Sequence, residues 1–185
     1  MNKVKYGLKN THYAIITETD GVITYGTPVP LKGAIALNLS ATGDKLEIYA
    51  DDGLYYSETN NQGYEGDFEA VLLDDEFKKT VLGYKEDSNG VLFENSSNKM
   101  KKIALLFEFS GDVHKTRRVL YNVTLSRPNI ETGSKTKSID VKYDKLNITA
   151  APHPTNGNVQ GKATPTQATQ YDAWFDSVYE FVPVV

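Results

Sequence analysis

The chain has 185 residues, a formal net charge of −4, 39% hydrophobic and 24% charged residues, and no cysteine. That length fits one domain, the missing thiols exclude disulfides, thiolate metal sites and cysteine nucleophiles, and the acidic balance argues against a protein that wraps duplex DNA. No apolar stretch approaches the ~20 residues that a helix needs to cross a bilayer. The opening MNKVKYGLKN carries lysines with no apolar run behind them, so a secretory signal is not expected. The Asn-x-Ser/Thr sequons at Asn38, Asn95, Asn122 and Asn147 then read as chance in an Asn-, Ser- and Thr-rich chain.

Residues 1–11 have little apolar content and are expected to form a flexible arm. Residues 12–18 (HYAIITE) and 22–25 read as strands flanking Asp20-Gly21, a pair that accepts the positive φ of a tight hairpin. Ile35, Leu37 and Leu39 alternate with small or polar neighbours, and Leu46 and Ile48 follow the Thr42-Gly43-Asp44 break; both stretches read as half-buried strands of a meander. Residues 50–66 combine a turn at Asp52-Gly53, the aromatics Tyr55 and Tyr56, and a polar tip of Asn60, Asn61, Gln62 and Gly63, which suits a long hairpin or arm. Next, Tyr64, Gly66, Phe68, Ala70 and Leu72 share one strand face, and Glu65, Asp67 and Glu69 share the other.

A short helix follows. Asp74 or Asp75 caps it, Phe77 and Val81 lie on one face, and Gly83 ends it. Strand alternation returns at Ile103, Leu105, Phe107 and Phe109, again at Val119, Tyr121, Val123 and Leu125, and in a run through Ile139, Val141 and Tyr143 to about Ile148. Residues 151–169, rich in Pro, Thr, Gly and Gln, read as an exposed polar loop or linker. Tyr171, Trp174, Phe175 and Val178 then recur at i, i+3, i+4 and i+7, an apolar helical stripe that packs against the rest of the chain. The reading is a mainly β protein with two short helical segments, in a single domain over residues 1–185.

Charge is unevenly spread. Residues 44–76 hold eleven carboxylates against one lysine, and residues 99–145 hold eleven bases against five acids. Such blocks serve either as solvated faces or as complementary surfaces in self-association. Chemistry is sparse. His12, His114 and His153 have no metal-ligand spacing. Thr132-Gly133-Ser134-Lys135-Thr136 lacks the glycine that a phosphate loop requires before its lysine and reads as a turn between strands, and no GxSxG elbow occurs. Asp51-Asp52-Gly53 suits a hairpin turn and Asp74-Asp75-Glu76 a helix start, while Arg117-Arg118 reads as a solvated strand end. No catalytic, cofactor-binding or metal-binding residue is assigned.

Seven segments in order carry a family likeness: YGLKNTHYA (6–14), ITYGTPVPLKGAIALNL (23–39), YADDGLYYSETNNQGYEGDFE (49–69), LLDDEFKKTVLGY (72–84), IALLFEFSGD (103–112), RRVLYNVTLSRP (117–128) and YDAWFDSVY (171–179). Together they resemble the major tail tube proteins of long non-contractile tailed bacteriophages, the siphophages, of Gram-positive bacteria. The resemblance implies a β-sandwich with a flanking short α-helix and a short C-terminal helical segment. It further implies a structural virion protein whose hexameric rings stack into a tail tube, the conduit for DNA ejection, with no enzymatic activity and no cofactor. Its partners would be copies of itself and the tape-measure, tail terminator and distal tail proteins of the virion; DNA would pass without specific binding, and no membrane is involved. Assembly would take place in the host cytoplasm and the product reside in the phage tail.

On that reading Asp52, Tyr55, Tyr56, Asn60, Asn61 and Tyr64 are inter-subunit contacts. Glu65, Asp67 and Glu69 are candidates for a lumen lining, because carboxylates repel a passing strand whereas each lysine or arginine strengthens adhesion. The alternative is a carbohydrate- or receptor-binding β-sandwich module with Tyr55 and Tyr56 as its platform.

Overall fold

In the computed structural model, which describes residues 6–134 and 141–183, every strand pairing is antiparallel and 47% of the chain is strand against 6% helix. Asp20 and Gly21, at φ 52° and 78°, join β1 (Leu8–Thr19) to β2 (Val22–Tyr25), the hairpin that their small penalty for positive φ favours. The chain continues through β3 (Val29–Pro30), β4 (Ala34–Thr42), β5 (Lys45–Ala50), β6 (Gly53–Thr59) and β7 (Gly63–Ala70) to helix α1 (Asp75–Thr80). After it come β8 (Lys85–Glu86), β9 (Leu92–Phe93), β10 (Ile103–Phe109), β11 (Arg117–Leu125), β12 (Asp144–Ala151), β13 (Gln160–Ala163) and helix α2 (Ala168–Asp172).

Nine strands form one sheet in the order β2-β1-β10-β11-β12-β7-β4, with β3 also on β1 and β13 also on β11. The sheet doubles over. Phe68 of β7, Leu146 and Ile148 of β12 and Leu37 of β4 share a single core with Tyr13 of β1, Leu105 of β10 and Leu120 of β11, so the two halves are the layers of a sandwich. Helix α1 closes its flank. The Asp74 carboxylate accepts from the Phe77 backbone N–H at 2.6 Å, and Phe77, Val81 and Leu82 are buried in the same core.

β11 turns the sheet over. Its first half pairs with β13 and its second half with β12, and between them a bulge sets Leu120 opposite Leu105 but Val123 opposite Ile103. The extra residue reverses the alternation. Val119 and Tyr121 enter a second core on the outer side of the sheet while Val123 and Leu125 enter the first, so the single face expected for these four residues is corrected. β10 lies between both cores: Ile103, Leu105 and Phe107 face the first, Ala104 and Leu106 the second.

Several expectations give way. Residues 8–11, expected in a flexible arm, are strand, with Thr11 buried, and Tyr6 and Gly7 carbonyls accept from Gly111 and Ser110 N–H groups at 2.9 and 2.8 Å. Residues 151–169, expected as an exposed polar loop or linker, are mostly exposed turn and loop but are held to the body: β12 ends there, β13 pairs with β11, and His153, Val159 and Ala163 are buried, because backbone pairing orders a segment whose side chains are mostly polar. Val141 and Tyr143 precede β12 and are exposed. Leu72 lies beyond β7 and is exposed instead of facing inward. Ile35 is the extra residue of a bulge between Ala34 and Ala36 and leaves the half-buried face of Leu37 and Leu39. Residues 1–5 of the expected arm, Ile139 of the expected strand, and Lys135 and Thr136 of the expected turn lie outside the described residues.

Candidate functional site

β5 and β6 form a ribbon of their own. β4 pairs with β7 up to Thr42 and Gly63, and the ladder runs on outward: Gln62 N–H donates to the Thr42 carbonyl at 3.0 Å and Asn60 N–H to the Asp44 carbonyl at 3.1 Å. At this shoulder the Asn60 side-chain oxygen also accepts from Asp44 N–H at 2.6 Å, and Gly43 admits no side chain, since a Cβ there would lie 2.1 Å from the Asn60 carbonyl oxygen. At the far end Asp51 and Asp52 both hold positive φ, 52° and 60°, the pattern of a two-residue type I′ turn.

Every residue of β5 and β6 is exposed. Leu46 and Ile48, expected to be half-buried in a meander, are 53% and 47% exposed, and Tyr55 reaches 78%. Tyr49, Leu54 and Tyr56 are exposed as well. An isolated hairpin is at best marginally stable in water, and a run of exposed large apolar side chains marks an interaction surface. The structure therefore gathers Asp52, Tyr55 and Tyr56 on a projecting arm. Asn60 and Asn61, expected at its tip, sit instead at its base, where Asn61 caps Gly63 N–H at 3.0 Å. The tip is Asp51-Asp52, because the chain reverses where both residues tolerate left-handed φ. Tyr64 is half-buried against the main core, with its hydroxyl accepting from Gln160 at 3.0 Å.

Glu65, Asp67 and Glu69 share the outer face of β7, but they are not equivalent. Lys145 of β12 places its ammonium 3.1 Å from Glu69 and 3.4 Å from Asp67, and Asn38 of β4 donates to Asp67 at 2.9 Å. Glu69, through its hydrogen bond, and then Asp67 hold Lys145 above the ordinary lysine range. Glu65 stays exposed.

Sequence reasoning missed the most connected charges. Glu108, 5% exposed, accepts from Arg117 Nε at 3.0 Å, Lys9 Nζ at 3.0 Å and Asn10 Nδ2 at 2.7 Å. The Arg117 guanidinium lies 3.9 Å from the Tyr171 ring centre, also contacts Phe175, and donates to the Tyr171 carbonyl. Arg117 is thus a partly buried clamp on the C-terminal segment and not a solvated strand end. Only its position, opposite the acid inside an otherwise apolar β10, signals the pairing.

Under that clamp Trp174 and Val178 are buried, with Tyr171 and Phe175 half-buried beside them. α2 itself stops at Asp172, and the stripe continues through turns, not a helix. Trp174 donates to the Arg118 carbonyl at 3.3 Å and stacks on Tyr179. Burial pushes the Tyr121 hydroxyl up to about 12, and that hydroxyl donates to the Tyr179 carbonyl at 2.9 Å.

The histidines have structural settings: His12 stacks on Phe175, the backbone N–H of His114 donates to Asp112, and His153 is buried where its Nδ1 accepts from Thr155 N–H. Hydrogen bonds from Thr116 and His114 hold the Asp112 carboxyl below its ordinary range. Among the described residues no three His, Asp or Glu side chains are grouped to hold a metal ion, and no helix is long and apolar enough to cross a membrane.

No family model and no curated protein matches the chain. Among solved structures it is similar to the sheath/tube terminator of an extracellular contractile injection system, PVC, in its extended state, at 10% identity and a TM-score of 0.42, over 84% of this chain and 94% of that one. It is likewise similar to the tube terminating cap of the anti-feeding prophage, at 12% identity and a TM-score of 0.42, over 89% of this chain and 95% of that one.

Proposed function

We propose that this chain is a structural tail protein that self-assembles, through the β5–β6 arm, into stacked hexameric rings forming a tube for DNA. The exposed arm carries the reading. A hairpin that buries none of its large apolar side chains within its own chain gains its stabilisation from a partner, and a ring or stack of identical chains supplies one at every position. Its four carboxylates (Glu47, Asp51, Asp52 and Glu58) against one lysine suit a basic surface on a neighbouring copy. The sequence resemblance contributes the hexameric number, the stacking and the DNA. On the same reading tape-measure, terminator and distal tail proteins meet the tube at its ends, and the product resides in the virion.

Electron microscopy of the purified chain at rising concentration tests the proposal, with rings or tubes expected. A chain that stays monomeric at every concentration and is retained on a glycan column would replace it with the carbohydrate-binding reading.

A further inference from the structure

At the open end of the sandwich, between β4 and the start of β1, lies a cavity of about 580 Å³. Leu8, Leu37, Leu39, Phe107, Phe109 and Leu120 make its walls apolar. Among the described residues its lining has one charged side chain, Arg118, and no carboxylate. Arg118 Nη1 donates to Gln160 at 2.7 Å, but its Nε is buried with no hydrogen-bond partner among the described residues. A buried guanidinium N–H in apolar surroundings favours a carboxylate acceptor. The site thus suits a carboxylate carried beside apolar or aromatic groups. β4, which forms one wall, is a nine-residue strand at the edge of the sheet with no charged residue and no proline, an edge lacking the usual protection against pairing.

The arm has the matching chemistry. Ile48 stands opposite Tyr56 and Leu46 opposite Glu58 across the β5–β6 ladder, so an apolar face ends in a carboxylate. Tyr56 donates to one Glu58 oxygen at 2.5 Å, which leaves the other oxygen open. An arm cannot serve its own cavity, because it prolongs β4 outward and folding back would break the Gln62–Thr42 and Asn60–Asp44 bonds at its shoulder.

We propose that this cavity is the socket for the arm of a second copy, with Ile48 and Tyr56 against its apolar walls and Glu58 on the Arg118 guanidinium. The inference rests on the self-assembly reading and adds where the arm goes. The natural absence of cysteine permits a direct test. Ser57→Cys on the arm of one population is mixed with size-tagged Ile35→Cys, at the cavity rim, or with Asn89→Cys, in the distant β8–β9 turn, and assemblies are treated with a short bismaleimide.

Cross-linking of Ser57→Cys to Ile35→Cys at least tenfold above that to Asn89→Cys supports the socket. In parallel, Glu58→Arg raises the concentration threshold for assembly at least tenfold, and Arg118→Glu in the same chain restores it to within threefold. Glu58 lies on the exposed arm, so its single variant remains informative even if Arg118→Glu alone fails to fold. Assemblies that form without the preferential cross-link, or a threshold indifferent to Glu58→Arg, overturn the socket and leave the self-assembly reading standing. A chain that never assembles removes both.

Discussion

Leu46 and Ile48 on the arm, and Leu146 and Ile148 on β12, are the same two residue types at the same spacing. The first pair is 53% and 47% exposed, the second 0% and 1%. Period-2 alternation therefore reports that a segment is a strand with one apolar face, and is silent on whether that face is covered by the same chain. Substitutions in the body should act on folding, and substitutions in the arm on assembly alone.

The largest effect is expected in the second core. Trp174→Ala removes a buried indole that stacks on Tyr179 and donates to the Arg118 carbonyl, and truncations of this kind cost about 3–5 kcal/mol. Denaturant unfolding of the unassembled chain should show that loss. An unchanged midpoint would move Trp174 from the body's account to the arm's. Arg117→Leu comes next. It leaves the buried Glu108 with Lys9 and Asn10 but without its guanidinium, and losing a hydrogen bond to a charged group costs about 1.5–3 kcal/mol. The same unfolding curve measures it, and protease cleavage after residue 164 should accelerate as the C-terminal segment loosens. Asp74→Ala, which removes the cap of α1, should cost about 1 kcal/mol.

Much of the body was legible because its signals are local. Asp20-Gly21 carries residues that tolerate positive φ, and Asp74 caps the helix that holds Phe77. What stayed hidden depends on distant partners. The bulge at Tyr121 and Asn122 reverses a run whose spacing looks regular, and no residue in it announces the reversal. β13 is ordered by backbone bonds to β11, to which side-chain composition is indifferent. Glu108 and Arg117 meet only once β10 and β11 are paired. The arm was legible as a hairpin, but its start at Lys45 was not, since Leu46 and Ile48 look like any core strand.

On the arm the expected contrast is sharpest. Replacing Leu46, Ile48, Tyr55 and Tyr56 together by Ser should change stability by less than about 0.5 kcal/mol per site, as exposed substitutions do, and should abolish rings and tubes in electron micrographs. A variant with a lowered unfolding midpoint would show that the body leans on the arm after all.

The smallest effect on folding belongs to β7's outer face, and it bears on the proposed channel. Lys145 already satisfies Glu69 and Asp67. Because those carboxylates hold Lys145 above the ordinary lysine range, the contribution of the cluster is complete below that range and fades as pH rises through the raised value. Lys145→Met should abolish that alkaline component and leave stability at neutral and acid pH nearly unchanged, because the cluster is a solvent-screened surface ion pair. Glu65 is different, since it is exposed and its charge is left to act on whatever passes. If this face lines the tube, Glu65→Lys repeats a cation around every ring and offers it to DNA phosphates, each neutralised contact releasing counterions. Folding should be unaffected within about 0.5 kcal/mol, while tubes should retain DNA at low ionic strength. Retention should weaken as salt shortens the screening length from about 10 Å at 0.1 M to about 3 Å at 1 M. Ejection at the unsubstituted rate at every salt concentration would place Glu65 on the outside of the tube, and with it the face it shares with Asp67 and Glu69.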